Sequence, residues 1–496
     1  MEVYLHISVS AREDGIKIKI FNSIWSEGGQ QMSKENQPSG NKIAGFFKAI
    51  GADLADIGTT FTQGNWMTKV SFLIMGFGPL LRKQFVRGIA LLLTEIVFIY
   101  YMVSFGAGYL KDITTLGTQG RGFNPDGTVS YGDNSFFILL YSILSIIIVF
   151  AFILVWRINV RQNKNAEKLL AEGKKLPTVK QDLLSLLDEH FDKTLLALPF
   201  MGVFVFIVLP IIFMVCVAFT NYDAQHQAPA QLFTWVGLDN FKNLFSMGST
   251  GFGSTFLTVL AWTIVWAFFA TFLNYFLGMV VAMLINKKGI KFKKLWRTIL
   301  VMTIAVPQFV SLLYIGKMFA ADGLVNGYLM RWGWIDQAIP FWTDPTIAKV
   351  LIIILNCWVG IPYIMLICTG LLMNIPADLY ESARIDGANA FQMFRKITLP
   401  YMLFVTGPFL LTQFTGNLNN FNIIYLLSGG GPKSMKLTGG AGHTDLLVTW
   451  LYKLTLTNTD YKMAAVLGIM VFLVIAVISL VVYNILPSVK DEEGFQ

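Results

Sequence analysis

Charge, histidine and cysteine are all scarce in this sequence. Only 14% of its 496 residues are Asp, Glu, Lys or Arg, against about 25% in an ordinary soluble domain. An ordinary soluble fold is therefore excluded. The four histidines, His6, His190, His226 and His443, share no metal-ligand spacing. Cys216, Cys357 and Cys368 all lie inside apolar runs, so no disulfide framework is implied and small buried hydrophobes are expected. No nucleophile elbow and no paired carboxylates occur. A nucleotide-binding loop of the form G-x4-G-K-[ST] is missing too. The nearest approach, SGGGPKS at 428–434, puts Pro432 between glycine and lysine. The chain is expected to be no enzyme and to hold no cofactor of its own.

Long apolar runs are present instead. Hydrophobic residues make up 54% of the chain, with 41 Phe, and several uncharged runs reach the roughly 20 residues that cross a bilayer as a helix. The predicted fold is all-α and polytopic, with about eight transmembrane helices at 88–109, 136–156, 194–219, 255–285, 298–320, 350–372, 401–426 and 463–485. FLIMGFGPLL at 72–81 is too short to span and is flanked by Lys69, Arg82 and Lys83; it is predicted to lie in the interface.

The formal charge of +8 is unevenly placed. Segment 157–193 holds Arg157, Arg161, Lys164, Lys168, Lys174, Lys175, Lys180 and Lys193, and KKGIKFKKLWR at 287–297 holds six basic residues. Segment 221–253 has only Lys242, and 110–135 only Lys111 and Arg121. The bias puts both termini and both basic loops in the cytoplasm, with 110–135, 221–253, 321–349 and 427–462 outside. It reports topology, and no nucleic-acid partner is implied. Trp235, Trp332, Trp334 and Trp342, in the outward loops, are expected to anchor at the interface. The charged linker is expected to be a solvated connector, with short amphipathic helices in NAEKLLAEGKKLP and KQDLLSLLDEHFDK.

The domain plan reads as follows. Residues 1–31 lack a signal-peptide pattern and end in SEGGQQ just before Met32, a peptide that can be encoded by a ribosome-binding sequence. Met32 is therefore the expected start and 1–31 a translated leader. Next come an N-terminal region (32–87), two spans (88–156), the linker (157–193), a six-span core (194–485) and a cytoplasmic tail (486–496).

Two polar constellations stand out. The first is ESARIDGANAFQMFRKITLP, after NIPADLY. Asp378 and Glu381 suit the start of a helix, and Asp386-Gly387 breaks it. A second helix presents Phe391, Phe394 and Ile397 roughly on one face, up to a Leu399-Pro400 stop. A hook projecting from the membrane and a self-packed amphipathic loop both fit these residues. The second is QFTGNLNNFN at 413–422. Asn417 and Asn420 share a face with Gln413 one turn earlier. Amides both donate and accept, which suits sugar hydroxyls, and five of them exceed what helix packing needs. In the sixth span Asn356, Gly360 and Tyr363 share one helical face, and Pro362 is expected to loosen the helix there. Only Glu95 places a carboxylate deep in a span; a single hydrogen bond to a neighbouring helix is expected to account for it, and a carboxylate relay is not indicated.

Glu381, Ala383, Gly387, Ile397, Leu399 and Pro400 match the pattern Glu-x-Ala-x3-Gly-x9-Ile-x-Leu-Pro. This resembles the EAA loop of ABC importer permeases, with Ser382 in place of the usual alanine. From about residue 190 to 485 the chain resembles the maltose/maltodextrin (MalF-like) permease family, through GLDNFKNLF, NCWVGIPYIMLICTGLLMNIPADLYESARIDGA, NLNNFNIIYLLSGGGP and AGHTDLLVTWLY. Residues 66–103 look more like the oligosaccharide permeases of Gram-positive bacteria. The large insertion after the third span of the enterobacterial family member has no room in 221–253. The resemblance implies an oligosaccharide importer permease in the bacterial cell membrane, most similar to those for maltodextrin. It implies as partners a second, MalG-like permease, two MalK-like ATPases carrying ATP and Mg, and an extracellular sugar-binding protein. ATPase coupling is implied for Glu381, Ala383, Asp386, Gly387, Phe391, Phe394, Ile397, Leu399 and Pro400. Substrate contact is implied for Asn356, Val359, Gly360, Tyr363, Gln413, Gly416, Asn417 and Asn420, and Gln308 joins this set. Gln413 and Gln308 stand where the family has serine, Gly416 where it has phenylalanine and Ile304 where it has tyrosine, so the pocket is expected to be altered in shape. A galacto-oligosaccharide permease and an ion-coupled sugar carrier are the rival readings; the latter needs an ion site and internal repeats, neither of which is clear.

Overall fold

The computed structural model describes residues 40–123, 125–188, 191–248, 251–287 and 289–486. The expected leader and nearly all of the expected tail lie outside the described residues. The chain forms two compact units, one of residues up to Tyr100 with Val149–Thr194, the other of Tyr101–Ile148 with Leu195 onward.

The first unit is built on helix α1 (Gly40–Gln63), the first part of α2 (Phe85–Asp112) and the second part of α3 (Ser135–Ala171). Two short helices, Trp66–Ser71 and Phe77–Leu81, connect α1 to α2. Stretch 72–81 is thus a turn plus a short helix, and polar side chains of α3 hold it. Asn159 Nδ2 donates to the Ser71 carbonyl at 2.8 Å and its Oδ1 accepts from the Gly76 N–H at 3.3 Å. Trp156 donates to the Phe72 carbonyl at 2.9 Å. Arg82, with a side chain 3% exposed, bonds Asn163 at 2.5 Å, Thr68 at 2.8 Å and Glu167 at 3.3 Å. Glu95 accepts the Met75 N–H at 2.8 Å, a bond to the turn between the two short helices and not to a neighbouring helix. The charged linker departs from expectation. NAEKLLA continues α3 instead of forming a separate helix. Its bases Arg157, Arg161 and Lys164 form partly exposed ion pairs with Asp53 and Asp56 of α1. KQDLLSLL does form a short helix, Val179–Leu187, capped by Thr178 and Gln181.

The second unit carries the rest of α2 and α3, α4 (Phe191–Val217) from Leu195 on, α5 (Gly253–Asn286), α6 (Lys293–Ala305), α7 (Gln308–Met318), α8 (Pro345–Leu372), α9 (Ala377–Ile385), α10 (Ala390–Leu418), α11 (Phe421–Ser428), α12 (Leu447–Leu456) and α13 (Tyr461–Ile485). Among the described residues of the whole chain, seven helices are long and apolar enough to cross a membrane; an eighth span exists only if α6 and α7 count together. That pair corrects the expected fifth span at 298–320, because it bends by 92° at Val306-Pro307. A residue before proline is driven from helical to extended backbone, and Val306 sits at ψ 130°. The seventh span also differs. It begins at Ala390 and ends at Leu418, where Asn419 and Asn420 interrupt the helix before α11.

Leu399-Pro400 is not a stop. Proline lacks an N–H and clashes with the carbonyl four residues back, which normally breaks a helix. Here one wide π turn, Phe394–Thr398, precedes it, and Leu399 N–H bonds the Phe394 carbonyl. The extra residue in that turn lets the helix continue through the proline. Pro362 likewise lies inside an uninterrupted α8, contrary to the expected loosening. Close approach of α5 to α8 depends on Gly278, where a Cβ would come within 2.6 Å of Ile364. The core runs from Trp450, Phe233 and Leu467 through Trp266, Leu312 and Ile352 to Met279, Met365 and Met402.

Candidate functional site

A cavity of about 220 Å³ opens where α5, α7, α8, α10 and the start of α11 converge. α8 contributes Asn356, Val359, Gly360 and Tyr363, the face that its i, i+4, i+7 spacing defines. Gln413 and Asn417 come from α10, Asn420 from the turn that follows, and Gln308 from the first residue after the break. Gly416 is not among the lining residues. It is exposed, a Cβ there would meet no atom within 4 Å, and it sits about 100° round the helix from Asn417. Ile304 lines an adjoining groove of about 290 Å³, which shares Gln308, Val359 and Tyr363 with the first and adds Ser311 and Trp358. No Asp, Glu, His, Lys or Arg lines either space.

The polar groups divide by whether their bonds are already made. Asn417 Nδ2 donates to Thr271 Oγ1 at 3.0 Å, and Asn420 Nδ2 donates to Asn417 Oδ1 at 3.2 Å. Asn420 Oδ1 accepts the Ile423 N–H at 3.3 Å and so caps α11. Trp266 donates to the Asn417 carbonyl at 3.2 Å. Two buried atoms of this wall have no partner in the protein: Asn274 Oδ1 and Asn356 Nδ2. Their residues are 6% and 4% exposed. An unpaired buried polar group costs about 1–3 kcal/mol, so an acceptor and a donor lining one cavity define a place where a hydroxylated guest would be stabilised.

Asn274 and Thr271 were not singled out in the sequence. They lie three residues apart in an otherwise apolar run, far from the amide-rich segment. A lone amide within a membrane span was the available signal. The structure also gives Gly360 a different part. A Cβ there would fall within 2.2 Å of Asn274 Nδ2. The absence of a side chain admits Asn274 to the wall.

The other constellation forms α9, a turn and the beginning of α10. Gly387 takes φ +80° at the turn, a backbone state open to glycine at little cost. Asn389 and Gln392 exchange the two bonds of a capping box at 2.9 and 2.8 Å. The Tyr380 and Thr398 hydroxyls bond at 2.8 Å and tie the two helices together. Glu381 and Asp386 are exposed and Ala383 half-buried. The expected stripe of Phe391, Phe394 and Ile397 is divided. Phe391 is 69% exposed, whereas Phe394 and Leu399 pack on the core around Met402 and Cys368 and Ile397 is half-buried. Phe394 opens the wide π turn, and a π turn does not keep the 3.6-residue register that a helical stripe needs. The apolar surface left on this loop is Phe391 with Leu379 and Ile385, the last 86% exposed.

Residues 274–491 match the family described as binding-protein-dependent transport system inner membrane component. The galactooligosaccharides transport system permease protein GanP of Bacillus subtilis is 38% identical over 85% of this chain and 97% of its own. The maltodextrin transport system permease protein MalC of Streptococcus pneumoniae is 37% identical over 85% of this chain and 96% of its own. The maltose/maltodextrin permease MalF of Escherichia coli is 36% identical over 53% of this chain and 51% of its own. The bundle, the polar cavity and the turn at Gly387 therefore belong to a member of the inner-membrane permease family of binding-protein-dependent ABC importers.

Proposed function

We propose that this permease passes an oligosaccharide of the maltodextrin class through the amide cavity. The observation that carries the reading is the pair of unpartnered buried amide atoms, Asn274 Oδ1 and Asn356 Nδ2, in a wall without Asp, Glu, His, Lys or Arg. A neutral guest with many hydroxyls satisfies both, since each hydroxyl donates and accepts. Tyr363, half exposed, offers a ring for the C–H face of a sugar. Asn417 and Asn420 shape the wall, and Gln308 and Gln413 reach the guest. A galacto-oligosaccharide is the second reading, favoured by the 38% identity with GanP.

The energy comes from two ATPase subunits that hold ATP and Mg, with no ATPase site in this chain. They dock on the α9–α10 turn, where Glu381, Ala383, Asp386, Gly387 and Phe391 are the contacting residues and Phe394, Ile397, Leu399 and Pro400 fix the hook to the bundle. A second permease and an extracellular sugar-binding protein complete the machine, and both termini lie in the cytoplasm. Uptake of labelled maltotriose by cells deleted for this gene, with and without the restored gene, tests the substrate. Restored uptake outcompeted by maltodextrins and not by galacto-oligosaccharides is the expected result, and the reverse selects the second reading. Gly387→Leu tests the docking: ATP-driven uptake is lost while the protein still reaches the membrane. Unchanged uptake would overturn the hook.

A further inference from the structure

A second concavity lies apart from the amide cavity. A groove of about 480 Å³ opens between the end of α7 and the short helix Leu324–Arg331. The fold fixes this helix firmly. Asn326 is fully buried, its Nδ2 is shared among the carbonyls of Ala320, Ala321 and Ile339 at 3.1–3.3 Å, and its Oδ1 accepts the Ile339 N–H at 2.9 Å. Gly323 closes the turn, where a Cβ would come within 2.4 Å of the Met318 carbonyl oxygen. Trp342 donates to the Gly316 carbonyl at 2.9 Å and ties the loop back to α7.

The opposite face of this pinned helix is open. Tyr328 and Arg331 line the groove with Tyr314 and Lys317 of α7 and Asp322 of the turn, and all five are exposed. Among the described residues no ion pair engages Lys317, Arg331 or Asp322. Trp332 extends the aromatic surface from Tyr328 at 5.6 Å and Trp334 continues it at 5.3 Å. Anchoring in a bilayer interface would account for the two tryptophans, but not for a concavity lined by two cations and a carboxylate.

We propose that this groove is an outer saccharide site, a place where an oligosaccharide rests before it enters the amide cavity. The proposal rests on the reading of the chain as an oligosaccharide permease. A sugar ring has an apolar C–H face and a rim of hydroxyls that each donate and accept. The groove supplies aromatic faces, donors at Arg331 and Lys317, an acceptor at Asp322 and phenol groups that do both. Its volume suits a small ligand, and Gly327 leaves its floor open, with no atom within 4 Å of an added Cβ.

The test uses the complete importer, purified without its binding protein and carrying Asn356→Ala to silence the amide cavity. Maltoheptaose and galactotriose are titrated by calorimetry. The expected result is residual binding of one of them that weakens about tenfold in Tyr328→Ala or Arg331→Gln, a hot-spot-sized loss, and persists in Tyr328→Phe. Absence of residual binding overturns the proposal. So does residual binding that Tyr328→Ala leaves intact, whether the variant instead weakens docking of the binding protein or only membrane insertion. A wild-type importer that binds neither sugar defeats the reading of the substrate; wild-type binding that vanishes altogether with Asn356→Ala defeats this site alone.

Discussion

Two polar clusters, one in each unit, put the same residue types to opposite uses. In the first unit Arg82, Asn159, Asn163 and Glu167 bond to one another and to the backbone of 65–78. Only Arg82 Nε in that group is left over. In the second unit Asn417 and Asn420 are tied up, but Asn274 and Asn356 each keep a buried atom unpaired. The first arrangement is a fastening, stable without any guest. The second carries a deficit that a hydroxylated guest would remove. Amide content alone does not separate the two; the state of each donor and acceptor does.

The comparison breaks most sharply at Arg82. Arg82→Ala strips a buried cation from Glu167, Thr68 and Asn163, and removing one member of such a buried network costs about 3–5 kcal/mol. A large fall in the melting temperature of the purified protein is expected; an unchanged melting curve would mean the cluster fastens nothing. Gly360→Ala comes next. Its methyl displaces Asn274, so uptake is expected to fall at least about tenfold, equivalent to 1.4 kcal/mol, with membrane abundance intact. Asn356→Ala sharpens the contrast further. It removes an orphan donor whose burial costs about 1–3 kcal/mol, so stability is expected to hold or rise while uptake drops. A loss of stability like that of Arg82→Ala would place Asn356 with the fastenings.

The smallest effect belongs to a third cluster, at the foot of α13. Burial pushes the Asp223 carboxyl up, but the Lys462 ammonium and the bond with His226 outweigh it and hold the group at about 2, below its usual 3.8. A folded value below the unfolded one adds stability above pH 3.8 that is lost as pH falls towards 2. Asp223→Asn is expected to lower the melting temperature modestly at pH 7 and to leave it unchanged near pH 2, followed by differential scanning fluorimetry.

Much of this was legible in the residues. The α8 face of Asn356, Gly360 and Tyr363 and the α10 pair of Gln413 and Asn417 follow from helical spacing and line the cavity, whereas Asn420 reaches it from the turn after Leu418, outside the helical register. The turn at Gly387 was marked by Asp-Gly. Other features were hidden because they depend on contacts between distant segments. Asn274 is one amide in an apolar run, and only the approach of Gly360 shows why it is there. The break at Val306-Pro307 had its signal in the proline, but hydropathy alone reads through it. Leu399-Pro400 failed in the other direction, since a π turn, which spacing cannot reveal, carries the helix past the proline.

That turn has a mechanical consequence. Because the helix is not interrupted, Phe391 and Asn417 ride on one rod, the 29 residues of Ala390–Leu418. At 1.5 Å per residue it is about 43 Å long. Tilting it by about 10° about its middle would swing each end by about 4 Å. The hook and the cavity wall need no chain of side-chain rearrangements between them to move together. Were the rod to pivot about its middle, they would be the two arms of one lever, and a push at the exposed phenylalanine would reach the asparagine as a displacement in the opposite sense.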